Sequence, residues 1–181
     1  MSQVPLLTAS TAPADSRATL AQIQGAFGTV PAMFAAVANS PAALASMWAG
    51  FGALGAGSLP AVLGEKLAVA IADRNRCNYC LAAHTALGRK AGASAAEMAR
   101  AQAGESDDPA TAAALAFALE LVERRGQVDP ARIAALRAQG FDDGAIVEVI
   151  AHVALNLYTN YVNVALDVPV DFPAVPLRRV A

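Results

Sequence analysis

An all-α fold is predicted by three features of the sequence. About a quarter of the 181 residues are alanine, the strongest helix former. No segment alternates apolar and polar residues as a half-buried strand would. Apolar side chains instead recur at intervals of three and four, the period of one helix face. The length suffices for one domain with a core and is short for two, so a single domain over 1–181 is expected.

The elements follow in order. Asp15 is placed to cap an entry helix near 15–27 that turns Leu20, Ile23 and Phe27 inward. A short helix follows Pro31, and another runs from Ala42 to about Gly55, after which Gly55, Gly57 and Pro60 punctuate the chain. Ser58 is read as the cap of a helix to about Arg74, with Val62, Leu63, Leu67, Ala70 and Ile71 as its buried stripe. The next helix spans about Cys77 to Ala91 and stops at Gly92, and Ser94-Ala95-Ala96-Glu97 forms a capping box for a short one. The polar knot Gly104-Glu105-Ser106-Asp107-Asp108-Pro109 marks the best internal boundary, between two subassemblies of one domain. Helices near 110–125 and 130–139 come next, and Asp142 caps a long one to about Asp167. The tail, 168–181, holds Pro169, Pro173 and Pro176 and is expected to be extended, with Phe172 docked.

Charge excludes some functions. Thirteen Lys and Arg stand against 15 Asp and Glu, a net charge of −2, and no basic run extends beyond Arg178-Arg179, so no nucleic-acid footprint exists. Between Arg17 and Glu65 there is no charged residue. Pro31, Pro41 and Pro60 break that stretch into pieces shorter than the roughly 20 apolar residues of a spanning helix, so no membrane association is expected. The first residues lack the basic and apolar regions of a secretory signal, and a cytoplasmic location follows as the expectation. So much uncharged surface predicts a homo-oligomer.

Both cysteines lie in Arg76-Cys77-Asn78-Tyr79-Cys80, and one of the two histidines, His84, is four residues further on. On one helix these three side chains share an arc of about 60°. Residues three apart also lie within the Cα span of a disulfide. In a reducing compartment such a pair reads as redox or metal chemistry rather than a structural staple. A helix N-terminus, the flanking Arg74 and Arg76, and an imidazole one turn away all favour thiolate. First-turn position favours Cys77 as the more acidic thiol, and the His84 imidazole at i+4 favours Cys80. Glu65 stands on a helix whose other side chains are almost all apolar, where an inward carboxylate needs a partner, His84 or a cysteine.

The pattern Glu65-x11-Cys77-x2-Cys80-x3-His84, inside GEKLAVAIADRNRCNYCLAAHTALGRKAG, resembles the core of the AhpD-like alkylhydroperoxidases, a branch of the carboxymuconolactone decarboxylase superfamily. The resemblance is specific over about 58–103, and the VALNLYTNYVN helix is similar to the C-terminal helix of peroxidase-related members. It implies an all-α, AhpD-like helical domain that assembles as trimers or hexamers and acts as a thiol peroxidase without cofactor or metal. By that likeness Cys80 attacks the peroxide, Cys77 resolves the sulfenic acid as a disulfide, and His84 with Glu65 relays the proton. A lipoyl-type or thioredoxin-type dithiol then reduces the bridge. Characterised members carry histidine immediately before the second cysteine, where this chain has Tyr79. A phenol is a poor proton shuttle at neutral pH.

Other readings use the same residues. Two buried small hydrophobes would explain the cysteines without chemistry. A zinc site would need Glu65 or His152 as a fourth ligand, and Leu81 after Cys80 excludes haem attachment. A lactone decarboxylase has no use for a dithiol, and a non-enzymatic redox-sensing oligomer would use the pair only as a switch. Tyr79 is placed off the thiol arc, in a packing role. Glu148, His152, Asn156, Asn160 and Asn163 share one face of the last helix, read as interface or inter-helix hydrogen bonding. Phe34, Met47, Trp48 and Phe51 read as core or pocket lining.

Overall fold

The computed structural model describes residues 2–179; positions 1 and 180–181, the last two of the expected tail, lie outside the described residues. All regular structure among the described residues is helical: α1 (Ala14–Phe27), α2 (Ala32–Val37), α3 (Pro41–Gly55), α4 (Ala61–Arg74), α5 (Asn78–Lys90), α6 (Ala95–Gln102), α7 (Pro109–Glu123), α8 (Pro130–Ala138) and α9 (Asp143–Ala165). The all-α expectation and the order of elements are observed.

Several boundaries differ from the expected ones, each for a local reason. Pro13, not Asp15, is the N-cap of α1, and Asp15 sits in the first turn, where its charge meets the positive helix end. Pro60 replaces Ser58 as the N-cap of α4; the backbone N–H of Ser58 instead donates to the Glu148 carboxylate at 2.8 Å. Phe27 is 39% exposed rather than inward. The last helix ends at Ala165, and Asp167 takes a positive φ of 48°. Ser40, Ser94, Asp108, Asp129 and Asp142 do accept capping hydrogen bonds, and the capping box at Ser94 and Glu97 is complete.

Helix α4 is the centre of the bundle, packed against α5, α6, α7 and α9. Its side chains from Lys66 to Ala72 are all buried. The expected inward stripe is thus a full wrap, as for a helix with neighbours on every side. The polar knot before α7 does not part the core, because α7 packs directly on α4 and α9. Lys66, buried on α4, is neutralised by Glu97 of α6 at 2.9 Å. Gly88 brings α5 close: a Cβ there would lie 2.5 Å from Met98 Cε and 3.3 Å from Glu65 Cβ, so any side chain would displace the Met98 thioether.

By length and composition α9 could cross a membrane. In the fold it packs against α3, α4, α5 and α7 and buries Asn156, Thr159, Asn160 and Asn163. The tail is extended as expected. The Phe172 ring meets the Tyr79 ring edge-on at 5.8 Å, and the Asp171 carboxylate accepts the Ala32 N–H at 2.6 Å, clamping the tail to the start of α2.

Candidate active site

The turn from α4 to α5 sets the two sulfurs. The Cys77 N–H donates to the Ala72 carbonyl at 2.9 Å and the Arg76 N–H to that of Asp73 at 3.2 Å, the pair of bonds that closes a helix in a Schellman motif. Arg76 occupies the left-handed position usually given to glycine, with φ 58°. Cys77 therefore falls outside the helix and becomes the N-cap of α5. Its Sγ accepts the Cys80 N–H at 3.2 Å. This corrects the placement of Cys77 within a helical arc: it reaches Cys80 from a cap, with Cα atoms 5.4 Å apart, and the two are disulfide-bonded.

Neither sulfur is solvated, with Cys77 0% and Cys80 2% exposed. They differ in outlook. Cys80 lines a cavity of about 310 Å³ and Cys77 does not. The Asn163 side-chain amide donates to Cys80 Sγ at 3.2 Å from α9. Arg74 and Arg76, expected to favour thiolate, are engaged elsewhere: Arg74 pairs with Glu123 at 2.8 Å, and Arg76 donates to the Arg178 carbonyl at 2.6 Å. The helix end and a neutral amide, not the guanidinium groups, face the sulfurs.

Glu65 and His84 meet between α4 and α5, with His84 Nδ1 2.8 Å from Glu65 Oε2. His84 is 13% and Glu65 23% exposed at the side chain, and both line the cavity of Cys80. A carboxylate on one ring nitrogen fixes the tautomer and leaves the other nitrogen for the cavity. All four residues singled out in the sequence thus lie in one neighbourhood.

Apart from Tyr79, Thr159 and Asn163, the rest of the wall is apolar. Phe27, Phe34, Trp48, Phe51, Ala83, Leu87 and Phe172 line it. The aromatic rings brace one another, Phe34 meeting Trp48 at 5.7 Å and Phe51 at 5.9 Å, both edge-on. Met47 belongs to the core. Tyr79 is buried as a packing residue, but it lines the same cavity as Cys80. Burial, with the Asp171 carboxylate nearby, pushes its phenol above the ordinary value, and its oxygen accepts the Met33 N–H at 3.3 Å. It is held neutral, accepting from Met33 and donating to the Asp171 carboxylate.

The sequence marks Asn163 only as part of a polar stripe on the last helix, not as a site residue. That stripe faces inward: Asn160 accepts from the Asn75 amide at 3.0 Å, beside the α4 to α5 turn, while Glu148 binds the Ser58 and Leu59 N–H groups. The inter-helix half of that reading is what the fold contains. Among the described residues no group of three or more His, Cys, Asp and Glu side chains is arranged to hold a metal ion.

Residues 41–124 match the carboxymuconolactone decarboxylase family. No curated protein matches the chain. Among solved structures it is similar to the alkylhydroperoxidase AhpD core of an uncharacterized peroxidase-related protein from Ralstonia eutropha JMP134. That likeness has a TM-score of 0.85 and 26% identity over 94% of this chain and 92% of that one. An uncharacterized peroxidase-related protein from Silicibacter sp. TM1040 superposes with a TM-score of 0.81 and 23% identity over 93% and 91%. The debrominase Bmp8, solved with 2,3,4-tribromopyrrole, has the same fold, with a TM-score of 0.80 and 20% identity over 94% and 92%.

Proposed function

The chain is an AhpD-like protein with a carboxymuconolactone decarboxylase family domain in residues 41–124, and from that premise we propose that it is a thiol-dependent peroxidase. One observation carries the reading: Cys80, disulfide-bonded to Cys77, and the Glu65–His84 pair line a single largely apolar cavity.

In the reduced protein His84 takes the Cys80 thiol proton, its Nδ1 held by Glu65. The thiolate attacks one peroxide oxygen and the O–O bond breaks. The departing alkoxide takes the proton from His84, and Cys80 becomes a sulfenic acid. Cys77 then attacks the Cys80 sulfur and displaces hydroxide, which leaves as water with the Cys77 proton. The peroxide has gained two electrons and the dithiol has lost two. A donor dithiol of lipoyl or thioredoxin type returns them by exchange. Cys80 is the attacking sulfur because it alone faces the cavity, and Cys77 resolves from the cap position.

The test is peroxide consumption with a dithiol reductant. Wild type is expected to turn over, Cys80→Ser to be inactive, and Cys77→Ser to complete at most one round. Wild-type activity in Cys80→Ser would overturn the mechanism. Turnover of a carboxylated lactone that survives loss of both sulfurs would return the decarboxylase reading. Disulfide formation that changes subunit number without multiple turnover would favour a redox sensor.

A further inference from the structure

Behind the Glu65–His84 pair lies a second, smaller cavity of about 170 Å³. Glu65, His84 and Phe51 line both spaces, so the pair stands as a wall between them. The smaller space adds His152 and Asn156 from α9 and Gly64 from α4. His152 Nε2 is buried and has no hydrogen-bond partner in the protein. Its ring lies over Gly64, where a Cβ would come within 3.2 Å of Cε1. That turn of α4 has room for the imidazole because it carries no side chain.

The charged and titratable groups around His152 are Glu148, one turn earlier on α9, Glu65 from α4 and His84 from α5. From α3 and the turn after it come only Phe51, Leu54, Gly55, Leu59 and Pro60. Burial pushes this imidazole below its ordinary value, against the pull of the two carboxylates. At neutral pH it is a neutral ring with a free nitrogen, beside a pair that must pass on a proton.

We infer that the neutral His152 ring supports the proton held by the Glu65–His84 pair, across the smaller cavity, and that it thereby sets how much Cys80 stands as thiolate before substrate arrives. This rests on the dithiol reading above. The Cys80 S–H bond breaks, an N–H bond forms on His84, and the unpartnered His152 Nε2 offers the protonated pair an acceptor across the smaller cavity. No electron changes hands, and the proton returns when an oxyanion leaves the cavity. His152 does not line the Cys80 cavity, so it acts through the pair, as a positioning residue.

The test needs no peroxide. In a Cys77→Ser background, alkylation of reduced Cys80 by a bromobimane is followed against pH. His152→Ala and His152→Gln are each expected to move the profile up by about one unit, a tenfold loss of rate at neutral pH. Free imidazole restores the rate in His152→Ala, which leaves a ring-sized space, and not in His152→Gln, which fills it. Profiles that superimpose on wild type, or imidazole without effect in His152→Ala, overturn the inference. Should His152→Ala fail to fold, the His152→Gln profile decides alone. A protein that reduces no peroxide yet shows the shift keeps this inference and loses the proposed reaction; active protein with superimposed profiles does the reverse.

Discussion

The sulfur of Cys80 accepts a hydrogen bond from the Asn163 amide at 3.2 Å. A hydrogen bond to an ionised group contributes about 1.5–3 kcal/mol, and part of that distinguishes thiolate from thiol. Asn163→Ala is therefore expected to raise the Cys80 thiol by about one pKa unit, read from thiolate absorbance in reduced protein. An unchanged titration would mean the amide holds α5 to α9 without tuning the sulfur. The sequence shows Asn163 as one of several amides on a helix face. Its partner lies 83 positions away, and no local pattern pairs two such residues. Cys77, Cys80 and His84 were legible because they sit within one turn or two of each other. Glu65 was legible mostly from the spacing of the resembled family, and also because an inward carboxylate on a largely apolar helix needs a partner.

At the scale of the element, helix ends were read well where a Ser or Asp side chain does the capping, as at Ser94 and Asp142. They were misread at Asp15 and Ser58, where proline sets the start and the polar residue is used elsewhere or not at all. The end of α6 also yields a pH dependence. The Ser94 backbone N–H, the Lys66 ammonium and the Ser94 hydroxyl together lower the Glu97 carboxyl from 4.5 to about 2. A carboxyl held down in the folded state stabilises above its unfolded value, and that contribution fades as pH falls from about 4.5 towards 2. Urea unfolding of wild type and Glu97→Gln should accordingly give well separated midpoints at pH 6 and converging ones near pH 2 to 3. A constant separation would assign the effect to packing of Lys66 rather than to charge.

Across the whole molecule, one face of α9 remains apolar and outward, with Val147 64%, Tyr161 62%, Val164 52% and Ile150 42% exposed. Monomeric proteins seldom leave a contiguous apolar patch of this kind uncovered, and the resemblance implies a trimer or hexamer. Sedimentation of wild type should show such an assembly, and Tyr161→Glu should shift it to smaller species at equal helicity. A wild-type monomer would remove the expectation. The same scale explains the limits of the wheel argument for the thiols. Cys77 takes its position from a helix ending at Arg74 and an αL residue at Arg76, not from the helix that follows.

Helix content, the punctuation between elements and the clustering of both cysteines with His84 were determined by the chain alone, because periodicity, capping and a short Cys-x-x-Cys-x-x-x-His run are local properties. Which sulfur faces a cavity, that aromatic side chains from α1, α2, α3 and the tail enclose it, and that His152 lies behind the Glu65–His84 pair were decided only by tertiary packing. Those contacts join residues far apart in sequence. Their geometry comes from close-packing helices around α4, and no window of the sequence contains it.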